Sequence, residues 1–107
     1  MSEAKNPTSK KARRSPRREV AISIRVFGTT PKGRDFTEDC VCVKVSRHGG
    51  QIRLKHLLLV DETVYITNLK TNKEAAFRVA AQVTSPPDAP YADWGVEVLY
   101  PNENVLD

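Results

Sequence analysis

Arginine is concentrated in one short segment, Arg13-Arg14-Ser15-Pro16-Arg17-Arg18, directly before the first apolar run of the chain. A second polar segment, Ser46-Arg47-His48-Gly49-Gly50, follows the second apolar run and contains a Ser-x-x-Gly turn. A guanidinium has a planar set of donors that can bind a phosphate bidentately, or the O6 and N7 atoms of a guanine. The two segments together therefore predict a clamp for a nucleotide.

The net positive charge lies entirely in the N-terminal part of the chain. Residues 1–18 carry seven basic side chains and one acidic, a net charge of +6, whereas residues 19–107 carry ten basic and twelve acidic, a net charge of −2. A protein that binds a long polyanion usually spreads its basic residues over a folded face. The pattern favours an arm that closes on a small anionic ligand or lies along nucleic acid. Residues 1–12, which are mostly small and polar, are expected to be a disordered basic tail.

No catalytic or metal-binding group of residues is evident in the sequence. His48 and His56 have no cysteine or carboxylate at ligand or triad spacing, so we expect surface or turn positions and no enzymatic activity. Cys40 and Cys42 are two residues apart on one predicted strand, which is poor geometry for a disulfide. These spacings predict no metal or cofactor. No apolar run is long enough to span a membrane, and we expect a cytoplasmic protein.

Six segments have the alternation of apolar and polar residues that β-strands show, and turn-forming residues separate them. The predicted strands are residues 20–27, 40–45, 51–54, 63–69, 75–84 and 93–100. No segment has a convincing helical period. We therefore predict an all-β fold, a six-stranded antiparallel barrel over residues 13–100, with residues 13–18 as a flexible arm and residues 101–107 as a C-terminal tail.

Alternation within each strand also predicts which side chains point into the barrel. The inner side chains of the second strand are expected to be Val41, Val43 and Val45, with Cys42 and Lys44 outside. The inner side chains of the fifth strand are expected to be Phe77, Val79, Ala81 and Val83. Trp94 in the last strand is expected to pack in the core.

The arginine segment and the strand pattern together resemble the PilZ domain, a bacterial six-stranded barrel that serves as a receptor for cyclic di-GMP. The first motif of that family, Arg-x-x-x-Arg before strand one, is matched by Arg13 and Arg17, and Arg14 and Arg18 offer a second register. The segment Trp94-Gly95-Val96-Glu97-Val98 is similar to the last strand of the family. The resemblance covers residues 13–100.

The second motif of the family, Asp/Asn-x-Ser-x-x-Gly between strands two and three, is matched by Ser46 and Gly49, but Lys44 stands at its first position. In the family the acid or amide accepts hydrogen bonds from a guanine edge. An ammonium has donors and no acceptor. Either Lys44 contacts a phosphate or the guanine O6 and N7 atoms instead, or the guanine contact is lost.

The resemblance implies a role for each motif residue. Arg13 and Arg17 would bind the phosphates and guanines of cyclic di-GMP, Ser46 would bond a phosphate or a guanine, and the Gly49 backbone would approach the ligand closely. Arg47 lies near enough to add charge. The implied function is a receptor or adaptor in cyclic di-GMP signalling.

Two other functions stay open. One is a barrel of this fold that no longer binds cyclic di-GMP and acts through protein partners. The other is a small nucleic-acid-binding barrel whose arm follows the phosphates and whose aromatic side chains stack on bases. An aromatic content of 7% and the acidic balance of residues 19–107 count against nucleic acid.

Overall fold

The computed structural model describes residues 17–83, 88–100 and 103–107. The strands are β1 (Arg18–Thr29), β2 (Asp35–Ser46), β3 (Gly49–Leu54), β4 (Thr63–Asn68), β5 (Lys73–Val83) and β6 (Ala92–Val98). Antiparallel ladders join them in the order β1-β2-β3-β6-β5-β4, and β4 pairs with β1 to close the barrel. The predicted six-stranded antiparallel barrel is confirmed.

The core of the barrel consists of the inward side chains that alternation predicts for most strands. In β1, Ile24 and Val26 are fully buried, and Ile52 and Leu54 of β3 belong to the same core cluster. Trp94 is also buried, as predicted. The first two strands are longer than expected, because the polar residues between them continue the ladder as far as a short turn at residues 30–34.

The inner face of β2 differs from the prediction. Cys42 and Val45 are fully buried, whereas Val41 and Val43 are only partly buried. The reason is a register shift against β3, where Cys42 pairs with Ile52 and Lys44 pairs with Gln51, so that Val43 has no partner on β3. One extra residue in a strand reverses the alternation beyond it. Lys44 nevertheless remains outside the core, as predicted.

The inner face of β5 ends earlier than predicted. Phe77 and Val79 are fully buried, but Ala81 is exposed and Val83 is only partly buried. The pairing with β6 shifts between Val79 and Ala81, so that the side chain of Ala81 no longer points into the core. This shift leaves short side chains on the outer surface next to β6.

Residues 103–107 pack against the barrel instead of forming a free tail. Leu106 is 2% exposed and belongs to the hydrophobic core. The Nδ2 atom of Asn68, at the end of β4, donates a hydrogen bond of 2.9 Å to the carbonyl oxygen of Val105. Asn104 donates through Nδ2 to the carbonyl oxygens of Ser46 at 2.8 Å and Arg47 at 3.1 Å. The end of the chain therefore covers one opening of the barrel, beside the β2–β3 turn.

Across the described parts of the chain, we find no helix with the length and apolar character needed to cross a lipid bilayer.

Candidate functional site

The pairing of β1 with β2 brings the end of the arginine segment to the β2–β3 turn. Arg18 pairs with Val45, and Glu19 pairs with Lys44, so Arg17 lies beside the residues that precede the turn. Ser46 pairs with Gly49 across the turn itself. Two motifs that are far apart in the sequence thus meet at one end of the barrel.

A cleft of about 440 Å³ opens at this meeting point on the outer surface. Its volume is in the range of small-molecule sites, roughly 300 to 1,000 Å³. Four of the predicted site residues line it: Arg17, Lys44, Ser46 and Gly49. The remaining lining residues are Val45, His48, Gly50 and Gln51 from the turn and β3, Ala80, Ala81 and Val83 from β5, and Gly95, Val96 and Glu97 from β6.

The floor of the cleft is formed by residues with little or no side chain. Gly95 pairs with Gln51 on one side and with Ala81 on the other. A Cβ atom at Gly95 would have one near neighbour, the carbonyl oxygen of Ala81 at 3.8 Å. Since the neighbours of Gly95 in β6, Trp94 and Val96, are buried, Gly95 faces outward and leaves room above the sheet for a flat group.

Gly49 is required by the packing of β3 on β6. A Cβ atom at this position would overlap the carbonyl oxygen of Val96 and lie 3.0 Å from the Cα atom of Glu97. Any larger residue would therefore push the two strands apart. The same close approach puts Glu97 directly beside the β2–β3 turn, since Gly49 and Glu97 are partners in the ladder.

Lys44 lies near a buried carboxylate on β6. Asp93 accepts hydrogen bonds from Arg53 at 2.8 and 3.0 Å and from the Nε2 atom of Gln51 at 2.8 Å. The Arg53 hydrogen bonds are the main cause that holds the pKa of Asp93 below its usual value, and the charge of Lys44 acts in the same direction against the effect of burial. Lys44 thus helps to neutralise Asp93 while also lining the cleft.

Glu97 places a carboxylate in the wall of the cleft. Its Oε1 atom accepts a hydrogen bond of 2.6 Å from Arg78, which also binds Asp61 at 2.6 Å. Arg78 and Glu97 are partners across β5 and β6. The guanidinium therefore fixes the Glu97 carboxylate and offsets part of its charge.

The other predicted site residues either do not line the cleft or fall outside the described residues. Arg18 is exposed and forms a 3.0 Å ion pair with Asp107, and it does not line the cleft. Arg47 is exposed in the turn and is also not a lining residue. Arg13 and Arg14 fall outside the described part of the chain, so their predicted roles stay predictions.

Burial makes the two thiols of β2 less acidic and therefore less reactive. Burial raises the pKa of Cys40 to about 12 and that of Cys42 to about 11. A thiol that stays protonated is a poor nucleophile and a poor metal ligand. In the described residues no group of three or more His, Cys, Asp or Glu side chains could hold a metal ion.

Sequence reasoning missed the β5 and β6 residues of the site, above all Glu97 and Gly95. Alternation alone places both on the outer face of β6, because Trp94 and Val96 are inward. Nothing in the linear sequence, however, places β6 next to β3. The pairing of these two strands, which are about forty residues apart, decides that Glu97 faces the turn.

Comparison with solved structures identifies a protein of the same fold. The barrel is similar to the structure of the K. pneumonia MrkH complex with c-di-GMP, with a TM-score of 0.60 and 14% sequence identity. The match covers 82% of this chain and 44% of that one, so this chain spans less than half the length of that protein. No protein-family model matches the sequence, and no curated protein does. The similarity shows a shared fold.

Proposed function

We propose that this protein binds cyclic di-GMP in the cleft beside the β2–β3 turn and acts as a receptor or adaptor of the PilZ type in bacterial second-messenger signalling. One observation carries the proposal: the cleft brings Arg17 of the first motif together with Ser46 and Gly49 of the second. The shared fold with MrkH, whose structure was solved with c-di-GMP, supports it.

The residues of the cleft suit the chemistry of a cyclic dinucleotide. The ligand has two negatively charged phosphates, for which Arg17 and Lys44 supply cationic donors. Its purine rings are flat, and the floor at Gly95 and Ala81 leaves a surface on which a ring can lie. In this proposal the chain performs no chemical reaction on the ligand.

Titration with cyclic di-GMP, followed by calorimetry, tests the proposal through Arg17→Ala. The wild-type protein should bind saturably, and Arg17→Ala should weaken binding about tenfold to a hundredfold because a charged hydrogen bond to the ligand is lost. Arg34→Ala is the matched control. Arg34 is an exposed arginine in the turn at the opposite end of β1, roughly 35 Å along the strand from the cleft. It should leave the affinity unchanged.

A second variant, Gly95→Val, tests the location of the ligand without changing any charge. Valine fits an outward position of a strand and would occupy the space above the floor, so binding should be lost while the thermal unfolding temperature stays close to that of the wild type. Absence of saturable binding by the wild-type protein at near-millimolar ligand would overturn the proposed function. Equal losses in Arg17→Ala and Arg34→Ala would overturn the assignment to this cleft.

One observation favours a second function, an adaptor that keeps the barrel but has lost the ligand. Lys44 acts on Asp93 and so has a structural reason to be a cation. In that case the titration gives no heat, and the partners are proteins. Binding to single-stranded nucleic acid, with an affinity that falls steeply with salt and is indifferent to cyclic di-GMP, would instead identify a nucleic-acid-binding barrel.

A further inference from the structure

We infer that Glu97 is the residue that recognises guanine in this site, in place of the acid or amide that Lys44 has replaced. The inference rests on the proposed function and names the specificity determinant of that same cleft. Among the described residues that line the cleft, Glu97 is the one carboxylate. It lies on β6, across the ladder from Gly49 of the second motif.

Guanine and adenine differ in the pattern of donors on the edge that a carboxylate can bind. Guanine has the N1 hydrogen and the exocyclic N2 amino group side by side, and a carboxylate can accept from both with its two oxygens. Adenine has an acceptor at N1, which a carboxylate repels. A glutamate at the wall of a purine site therefore selects guanine over adenine.

The position of Glu97 fits this task. Glu97 and Gly95 are two residues apart on one strand, so they point to the same face with Cα atoms roughly 6.5 Å apart. A purine that lies over the Gly95 floor would have one edge toward Glu97. Across the ladder Gly95 pairs with Gln51, which is itself the partner of Lys44. That arrangement offers an acceptor along β6 and the cationic donor of Lys44 in the direction of β2.

The ion pair with Arg78 holds Glu97 in place and makes a carboxylate compatible with an anionic ligand. Arg78 binds Oε1 at 2.6 Å, and within the described parts of the chain no group bonds Oε2. Arg78 is in turn held by Asp61. The carboxylate is thus oriented by a cation, while its 52% exposed side chain remains accessible to a ligand.

The test compares Glu97→Gln with the wild-type protein for cyclic di-GMP and cyclic di-AMP. Glutamine has the same shape but replaces one acceptor by a donor, so cyclic di-GMP should bind about tenfold to a hundredfold more weakly. Cyclic di-AMP should bind equally well or better. Removing a carboxylate that acts only by repulsion would instead strengthen the binding of both anions. The sign of the change in cyclic di-GMP affinity therefore distinguishes guanine recognition from repulsion.

Asp61→Asn is the matched control, because it removes the same charge from the other partner of Arg78 and leaves the cleft lining intact. It should change both affinities by less than about twofold, in line with the small energies of exposed ion pairs. If Glu97→Ala shows the same loss for cyclic di-GMP alone, the acceptor role is supported independently of the glutamine amide.

If the wild-type protein binds cyclic di-GMP and Glu97→Gln binds it equally well or more tightly, the role of Glu97 is overturned and the proposed function stands. A loss in Asp61→Asn equal to that in Glu97→Gln would do the same. Failure of the wild-type protein to bind cyclic di-GMP would overturn both.

Discussion

Lys44 is the residue at which the sequence departs from the motif it resembles, and a buried carboxylate lies near it. It acts on the buried Asp93 through its charge and is the ladder partner of Gln51, which donates to the same carboxylate. A cation here offsets negative charge that burial would otherwise make costly. An acid at residue 44 would put a second negative charge in that environment.

Exchange of Lys44 tests this electrostatic role. Lys44→Asp should lower the free energy of unfolding by roughly 1 kcal/mol more than Lys44→Asn, because only the former puts a like charge near Asp93. Urea unfolding at neutral pH measures the difference, which should shrink at high salt. The same pair of substitutions at Lys32, an exposed residue of the β1–β2 turn, should show no such difference. An equal loss in both Lys44 variants would contradict the role.

At the scale of elements, residues 103–107 link three parts of the barrel end. Asn104 bonds the β2–β3 turn, Val105 is bonded by Asn68 of β4, and Asp107 pairs with Arg18 at the start of β1. Leu106 fills the opening between them and approaches Gly50, where a Cβ atom would lie 3.1 Å from its Cδ1 atom. The segment thus stabilises the turn that carries Ser46 and Gly49.

Truncation of Leu106 measures how much this segment contributes. Leu106→Ala should reduce the free energy of unfolding by about 2 to 4 kcal/mol, since it removes a fully buried side chain and leaves a cavity. Leu57→Ala removes the same atoms from a residue that is 58% exposed and should change stability by less than about 0.5 kcal/mol. Denaturant unfolding of both variants gives the comparison. Indistinguishable values would mean that the segment does not pack on the barrel in solution.

In the molecule as a whole, two carboxylates form hydrogen bonds between segments that are distant in the sequence, and they make stability depend on pH. Glu38 of β2 accepts hydrogen bonds from the backbone of Lys55 at 2.8 Å and of His56 at 3.1 Å, and lies 2.7 Å from the Nδ1 atom of His56. Burial alone would raise its pKa, but these hydrogen bonds together hold the pKa below the ordinary value of 4.5. Asp93 has a lowered pKa in the same way, chiefly through Arg53.

The sign of the pH dependence follows from these shifts. A carboxyl group whose pKa is lower in the folded state binds fewer protons there, so its stabilisation is present above about pH 4.5 and is lost as the pH falls through the folded pKa. The free energy of unfolding should therefore decline from about pH 5 toward pH 3. Glu38→Gln should be less stable at pH 7 by about 1 to 2 kcal/mol and should decline less steeply.

Unfolding by urea at a series of pH values checks this expectation. Glu62→Gln is the control, since Glu62 is exposed and no hydrogen bond to its carboxylate is formed within the described residues. It should keep the wild-type slope. A wild-type slope in Glu38→Gln would show that Glu38 does not contribute to acid sensitivity.

Local patterns in the sequence predict the number of strands, the inward side chains of β1, β3 and β4, and the two motifs. These are local properties, because the alternation of side chains and the turn residues act over a few positions. They sufficed to predict the antiparallel barrel and to single out Arg17, Lys44, Ser46 and Gly49.

The shifted faces of β2 and β5 and the full lining of the cleft depend on contacts between strands. The register shifts at Val43 and at Ala80 depend on which residues the neighbouring strands offer, and a single extra residue exchanges the two faces. Glu97 enters the site because β6 pairs with β3, and Leu106 enters the core because the barrel end is open to it. Both are contacts between residues distant in the chain, which no local pattern encodes.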